Sequence, residues 1–544
     1  MQQNDWWRGA VIYQVYPRSM KDSNGDGIGD LPGIIEKLDY IADLGVDAIW
    51  ISPIFKSPMK DFGYDISDYR AIDPMFGTLE DFDELLLKAH NLGLRIIIDQ
   101  VLSHTSDQHA WFEESRQSKI NPKADWYVWA DPKPDGTQPN NWLSIFGGPA
   151  WHWEPRRQQY YLHNFLESQP DLNFHNVEVQ KASLDNIEFW LKRGVDGFRL
   201  DAINFCFHDS ELKDNPPKPK DKREGRGFSE DNPYAYQYHY YNNTQPENIE
   251  FIKKIRTLLN EYPGCVSLGE VSSEKSLDTM AEYSKGNKRL HMVYSFELLT
   301  DDFSAKYIRE TIEALEEKMN GAWPCWAFSN HDVKRVASRW LGEEQSQTKA
   351  KLFSALLCCL RGSVCSYQGE ELGLTDVEIE YKDLQDPYGI TFWPNFKGRD
   401  GCRTPMPWDE TQSQAGFSEG KPWLPIPEKH RNESVKSQLN KETSVLKSFQ
   451  KLMAWRKQFP ALISGSIEFI DTPEPVLAFK RKTDNQQLTI FFNLSNEQQT
   501  VDLQNSCVDY FSHQLETGHE LCRGKLENKK VILPSFAMCV LKSR

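Results

Sequence analysis

The chain has 544 residues, of which 39% are apolar and 26% charged, with a formal net charge of −16. That length exceeds one small core and suits several domains, or one large α/β barrel with additions. The acidic balance excludes a nucleic-acid or anionic-membrane binder working through a basic patch, and no apolar run approaches the ~20 residues of a membrane span. Aromatic residues make up 12% of the chain, including 17 Trp, a content that serves large cores and also the stacking of sugar rings. The ten cysteines show no metal-like spacing. With no apolar leader after Met1, they point to a reducing cytoplasm.

In chain order, short β-type runs alternate with amphipathic helices. Residues 11–16 read as a strand. Leu31, Ile34, Ile35, Leu38, Ile41 and Ala42 share one face of a helix over 31–45 that stops at Gly45. A strand over 48–53 follows, then a helix over 79–93. The strand over 95–101 is so apolar that it must be covered on both faces, as parallel strands are. From 105 to 176 the periodicity lapses among Trp, Pro, Gly and Asn, which predicts an inserted subdomain B rather than a structureless loop.

Alternation then resumes with helices at 177–194, 246–264, 304–320 and 346–361 and strands at 197–203, 266–271, 291–297, 326–332 and 363–370. Residues 206–244 form a polar loop carrying PPKPKDKREGR. A last helix covers 444–460. Eight strands with crossover helices predict a (β/α)8 TIM barrel in two parts, 1–104 and 177–460. Short strands beyond 461 predict a C-terminal antiparallel β domain over 461–544, sandwich-like in character. No G-x-G-x-x-G follows the first strand, which removes the signature of a dinucleotide fold.

In such a barrel the chemistry belongs at the carboxyl ends of the strands. Those ends supply Asp99 and His104, then Arg199 and Asp201, then Glu270, then Asn330, His331 and Asp332. In GFRLDAINF (197–205), Arg199 and Asp201 are two apart and so face the same way. The arginine is expected to keep Asp201 ionised with a depressed pKa, as a nucleophile needs. Glu270 stands among apolar neighbours with no adjacent cation, so burial should raise its pKa and suit it to proton donation. Paired carboxylates with no sign of a redox cofactor point to glycoside hydrolysis. Asp332 would grip hydroxyls harder as the sugar ring flattens.

The segments DQVLSH (99–104), GFRLDA (197–202), GEV (269–271) and FSNHD (328–332) resemble the four signature regions of the α-amylase superfamily of retaining α-glycosidases. QPDLN (169–173), residues 6–34 and GRDGCRTPMPW (398–408) are similar to its oligo-1,6-glucosidase/α-glucosidase branch. The resemblance implies Asp201 as nucleophile, Glu270 as acid/base and Asp332 as transition-state stabiliser. It implies His104, Arg199 and His331 as binders of the sugar at the cleavage point. Asp61, Tyr64 and Arg399 would close the pocket over the non-reducing end, with Phe146 and Phe165 lining it. The implied enzyme is exo-acting. Members of the branch that cleave α-1,6 bonds tend to carry Val after the nucleophile, and Ala202 here favours α-1,4.

The expected activity is release of α-glucose from short α-1,4-glucosides such as maltose by double displacement, with transglucosylation alongside. The alternatives are sucrose hydrolysis or isomerisation, dedicated transglucosylation, and α-1,6 specificity. DSNGDGIGD (22–30) alternates oxygen donors: Asp22, Asn24, Asp26, the Ile28 carbonyl and Asp30. That is a hard-cation pattern, and the resemblance implies a structural Ca²⁺ or Mg²⁺ there. Position 12 of the loop is Gly33 rather than Glu, so it is not an EF-hand. No organic cofactor is expected. The expected partner is a small oligosaccharide, with the protein acting as a monomer or homodimer.

Overall fold

The computed structural model describes residues 5–543 apart from 224–230, 320, 341, 343, 345 and 504–512. Eight parallel strands form one sheet: β1 Val11–Val15, β2 Ala48–Ile51, β3 Arg95–Val101, β4 Gly197–Asp201, β5 Val266–Val271, β6 Met292–Ser295, β7 Cys325–Ala327 and β8 Ser363–Tyr367. Their spatial order runs β6-β5-β4-β3-β2-β1-β8-β7. A parallel bridge between Val293 and Pro324 joins the two ends and closes the sheet. The chain is thus an α/β barrel with antiparallel sheets at its C-terminus.

The crossover helices are α1 Leu31–Asp43, α2 Leu79–Asn91, α3 Val177–Arg193, α4 Asn248–Asn260, α5 Ser276–Tyr283, α6 Ala305–Met319 and α7 Ser346–Cys359, with α8 Val445–Arg456 after a long irregular stretch. The sequence pattern missed α5, because SLDTMAEY spans barely two turns. Local chemistry sets the helix ends. The Asp30 carboxylate caps α1 by accepting from the Gly33 N–H, and Thr78 with Asp81 forms a capping box on α2. Leu31, Ile34, Leu38 and Ile41 of α1 are fully buried against the barrel. Each such side chain contributes ~1.5–3 kcal/mol of burial, and Leu38→Ala would cost ~2–5 kcal/mol.

Strand alternation sorts two cores. Val11, Tyr13, Val15, Ile49 and Ile51 face the helices. Ile12, Ala48, Trp50, Ile97, Leu268, Met292, Tyr294, Cys325 and Cys365 fill the barrel interior. On several strands the inner face changes character within one step of two residues. Ile97 is followed by Asp99, Leu268 by Glu270 and Met292 by Tyr294, all buried. The lower layer is apolar packing and the upper layer carries polar chemistry.

The insertion after β3 contains a three-stranded antiparallel sheet of Trp129–Ala130, Gln159–Leu162 and Trp151–Glu154, packed on Trp142 and Trp151. A bridge between His104 and Asp171 ties its end to the barrel rim. Beyond α8, a five-stranded and a three-stranded antiparallel sheet share a core that includes Val476, Phe491, Val531 and Leu541. Arg481 of that region is buried and donates to the carbonyls of Cys359 and Leu360, anchoring it to the end of α7. The nine cysteines among the described residues are free, and Cys507 lies outside them. No helix among the described residues is long and apolar enough to cross a membrane.

Candidate active site

A pocket with about 770 Å³ of empty space opens at the carboxyl ends of the strands. Of the residues singled out from the sequence, Asp61, Tyr64, His104, Phe146, Phe165, Asp201, Ala202, Glu270, Asp332 and Arg399 line it together. Arg199 and His331 do not: they are buried behind the wall, 0% and 1% exposed. The structure adds Ile145, Phe205, Ser272, Phe296 and Tyr388 to the lining. Phe205 and Phe296 sit in short helical turns just past β4 and β6, Tyr388 in a short helix Pro387–Phe392, and Ile145 and Ser272 in irregular chain, with nothing in their spacing to single them out.

At the pocket floor, one guanidinium meets three carboxylates. Arg199 Nη1 donates to Asp99, at 2.9 Å from Oδ1, and to Asp201 Oδ1. Its Nη2 lies 2.5 Å from Glu270 Oε1. Register explains the meeting. Asp99 on β3 and Leu268 on β5 both stand beside Arg199 on β4, and Glu270 is two residues above Leu268. Glu270 therefore does have an adjacent cation, contrary to the sequence reading, because the neighbour lies across strands and not along one.

Burial raises Asp99 to about 6, Asp201 to about 7 and Glu270 to about 7, with Arg199 opposing the rise in every case. The expected depression at Asp201 is overturned: one positive charge divided among three buried carboxyls does not offset their desolvation. Each of the three acids also feels a neighbouring carboxylate, which adds to its rise. Arg199 Nη1 donates to Asp201, its Nε and Nη2 donate to the Tyr294 hydroxyl at 3.2 and 2.8 Å, and Nη2 also meets Glu270 directly. Asp201 and Glu270 therefore each keep a charge-assisted contact with the guanidinium, and Glu270 also accepts from the Tyr294 hydroxyl at 2.8 Å.

Arg399 makes a second cluster. Its Nη2 lies 3.0 Å from Asp61 and 2.9 Å from Asp386, and its Nη1 lies 3.1 Å from Asp332. Arg403 also reaches Asp332 at 3.1 Å. His331 and these two arginines hold Asp332 well below the usual carboxylate range despite burial. Asp386 is likewise lowered, with Arg399 the main cause opposing its desolvation, while burial lifts Asp61 to about 6. The Phe146 ring lies 5.3 Å from the Arg399 guanidinium carbon, beside the Asp61–Arg399 ion pair.

The histidines are neutral, because burial lowers His104 to about 4 and His331 to about 3. His104 Nε2–H donates to the Tyr64 carbonyl at 3.0 Å, which leaves Nδ1 to accept from Ser103. Tyr64 stacks on His331 with ring centroids 5.3 Å apart, meets its Nε2 at 2.7 Å, and donates to Asp99 at 3.0 Å. His331 thus orients Tyr64, which in turn orients Asp99. Asn232, in the loop after β4, donates to the Ile145 carbonyl at 2.6 Å and to Tyr388 at 3.0 Å, so that loop is tied to the pocket wall. Part of its Lys/Arg run, 224–226, lies outside the described residues.

The expected metal loop follows β1. Asp22 and Asp30 are buried, while Asn24 and Asp26 are exposed. Asp22 Oδ1 accepts from the N–H groups of Asn24 and Gly25, and its Oδ2 from Gly27 and the Ser418 hydroxyl. Gly27 is required by space as well as by its φ of +91°, since a Cβ there would lie 1.9 Å from the Lys421 carbonyl. Among the described residues, no three His, Cys, Asp or Glu side chains gather as a ready-made metal centre. The loop's donors are nonetheless all hard oxygens, the type that Ca²⁺ or Mg²⁺ takes.

Residues 14–465 match the catalytic-domain model of the α-amylase family. A "Probable alpha-glucosidase" of Rhizobium meliloti (strain 1021) is 56% identical over 502 residues, spanning 92% of this chain and 91% of that protein. An oligo-1,6-glucosidase of Parageobacillus thermoglucosidasius is 37% identical over 525 residues, 90% of this chain and 91% of that protein. The crystal structure of the α-glucosyl transfer enzyme XgtA is similar at a TM-score of 0.96 and 63% identity, covering 99% of each chain.

Proposed function

The chain belongs to the α-amylase family of glycoside hydrolases, and from that premise we propose that it is an exo-acting retaining α-glucosidase releasing α-glucose from the non-reducing end of short α-1,4-glucosides such as maltose. The observation that carries this reading is a single pocket lined by Asp201, Glu270 and Asp332, with the Asp61–Arg399 ion pair also in its lining. We read that ion pair as the closed end of the pocket, which would admit one sugar unit beyond the cleavage point.

In the first displacement Asp201 attacks the anomeric carbon from the face opposite the leaving group. Glu270 passes its proton to the departing oxygen as that bond breaks. The product is a β-linked glucosyl ester on Asp201. In the second, Glu270 takes a proton from water, the water oxygen attacks the same carbon, and the Asp201 ester bond breaks. Two inversions return the α-anomer. Asp332 stays ionised and strengthens its hold on the ring hydroxyls as the ring flattens. The remaining sugar contacts fall to His104, Tyr64 and Arg399, with Phe146 and Phe165 packing on the ring faces. Arg199 and His331 support the site from behind.

The α-1,4 preference rests on Ala202, whose small side chain at the pocket wall leaves space for the aglycone. A second reading is favoured by the likeness to XgtA. A sugar or alcohol hydroxyl would replace water in the second displacement, and the aromatic wall of Phe205, Phe296 and Tyr388 suits an acceptor ring. A panel of maltose, isomaltose, sucrose, trehalose and maltotetraose, with products followed by proton NMR, tests both. Initial release of α-glucose from maltose is expected. Initial β-glucose, or internal cleavage of maltotetraose, would overturn the assignment.

We also propose a structural divalent cation held by Asp22, Asn24, Asp26, the Ile28 carbonyl and Asp30, which would brace the loop and take no part in bond making. Chelation should lower the thermal midpoint, Ca²⁺ or Mg²⁺ should restore it, and Asp22→Asn should abolish the response. An indifferent midpoint would remove the site. A cytoplasmic location and a monomeric or homodimeric state accompany this reading; fractionation and light scattering test them.

A further inference from the structure

Tyr294 enters none of the roles above, yet it is buried at 2% exposure in the middle of the Arg199 cluster. It stands on β6 directly beside Glu270 on β5. Its hydroxyl has three neighbours: Arg199 Nε at 3.2 Å, Arg199 Nη2 at 2.8 Å and Glu270 Oε1 at 2.8 Å. A guanidinium can only donate, so the phenol oxygen accepts from both arginine nitrogens. Its single proton is left for Glu270, and Oε1 must receive it.

We propose that Tyr294 is a positioning residue for the acid/base: by donating to Glu270 Oε1, the oxygen that Arg199 Nη2 also meets at 2.5 Å, it confines the transferable proton to Oε2. Two protons cannot share the short Tyr294–Oε1 line, so protonated Glu270 carries its hydrogen on the other oxygen. Oε2 has one protein contact, the Ala202 N–H at 3.2 Å, a long bond beside the residue that follows the nucleophile. The acid is thus gripped on one oxygen and free to give from the other.

The hydroxyl also sets the ease of proton loss. It stabilises the Glu270 carboxylate and so works against the rise that burial causes. Burial and the neighbouring carboxylate hold the phenol itself well above its ordinary range, so it remains a donor. The other charged groups around Glu270 are Arg199 and Asp201 from β4, Asp99 from β3 and Asp332 from the segment after β7. None of them is removed by changing Tyr294.

The test is Tyr294→Phe in the full chain, with kcat/KM measured against pH on maltose and on 4-nitrophenyl α-glucoside. Loss of the donor makes Glu270 hold its proton more tightly, so the basic limb for maltose should move up by about one pH unit. Maltose needs the proton and 4-nitrophenolate does not, so at the optimum kcat/KM should fall about tenfold more for maltose. An unmoved limb with equal losses on both substrates would overturn the proposal. Should the Phe variant fail to fold, 2,3,5-trifluorotyrosine at position 294 keeps the ring and donates more strongly. The limb should then move down, and no movement would be equally damaging. The proposal rests on Glu270 being the acid/base, which Glu270→Gln tests apart from it. Normal turnover of maltose there sinks that reading, whereas an inactive Glu270→Gln with an unmoved Tyr294→Phe limb sinks only the role of Tyr294.

Discussion

Two arginines flank the pocket, Arg199 behind its wall and Arg399 in its lining, and each holds three carboxylates, yet the two clusters behave oppositely. Around Arg199, burial wins and Asp99, Asp201 and Glu270 all hold protons more tightly than free carboxyls. Around Arg399, Asp332 and Asp386 are lowered and only Asp61 is raised. The difference lies in the count of cations. Arg403 joins the second cluster, reaching Asp332 and the His331 carbonyl, whereas Arg199 serves its three acids alone. A cluster short of positive charge keeps a proton near neutrality and can do acid–base work. A better-compensated one keeps fixed charge and can hold a substrate.

Removing Asp201, the proposed nucleophile, from the Arg199 cluster should have the largest effect. Asp201→Asn is expected to lower turnover of 4-nitrophenyl α-glucoside by on the order of 10⁴-fold or more, with circular dichroism unchanged. Retained turnover would mean that the chemistry sits elsewhere. Breaking the charge-fixed cluster should cost binding and stability. Arg399→Ala leaves Asp61, Asp332 and Asp386 with Arg403 as their remaining arginine partner and should destabilise the fold by ~3–5 kcal/mol. Its kcat/KM on maltose should drop about 100-fold, mostly through KM, and an unchanged KM would erase the contrast between the two clusters.

The smallest effect concerns the bond chosen. Ala202→Val should raise the isomaltose-to-maltose ratio of kcat/KM several-fold. Ala202 has a left-handed backbone at φ +39°, where a β-branched side chain is strained. The thermal midpoint should therefore also fall, by the equivalent of ~1–3 kcal/mol. An unaltered substrate ratio would remove the basis for α-1,4.

The barrel was legible because parallel strands buried on both faces read as continuous apolar runs, and long helices show their period. The short helix Ser276–Tyr283 was not, since two turns carry little periodicity. Asp201, Glu270 and Asp332 stood out as polar residues at strand ends. Asp386 and Arg403 did not, because they lie in irregular chain far from their partners in sequence. Tyr294 lies within the strand expected over 291–297 with nothing in the sequence to mark it, although register sets it at the same level as Glu270. The charge balance was the least legible feature. Arg199 beside Asp201 suggested a private pair, but register across β3, β4 and β5 brings two more acids to the same cation.

The central claim is that Asp201, held directly by Arg199, becomes the glucosyl ester while Glu270 handles the proton. Incubation with 5-fluoro-α-glucosyl fluoride, followed by peptide mass spectrometry, would trap that ester. The label is expected on Asp201, in the peptide that contains GFRLDAINF. A label on Glu270 or Asp332, or none on any carboxylate despite inactivation, would contradict the account.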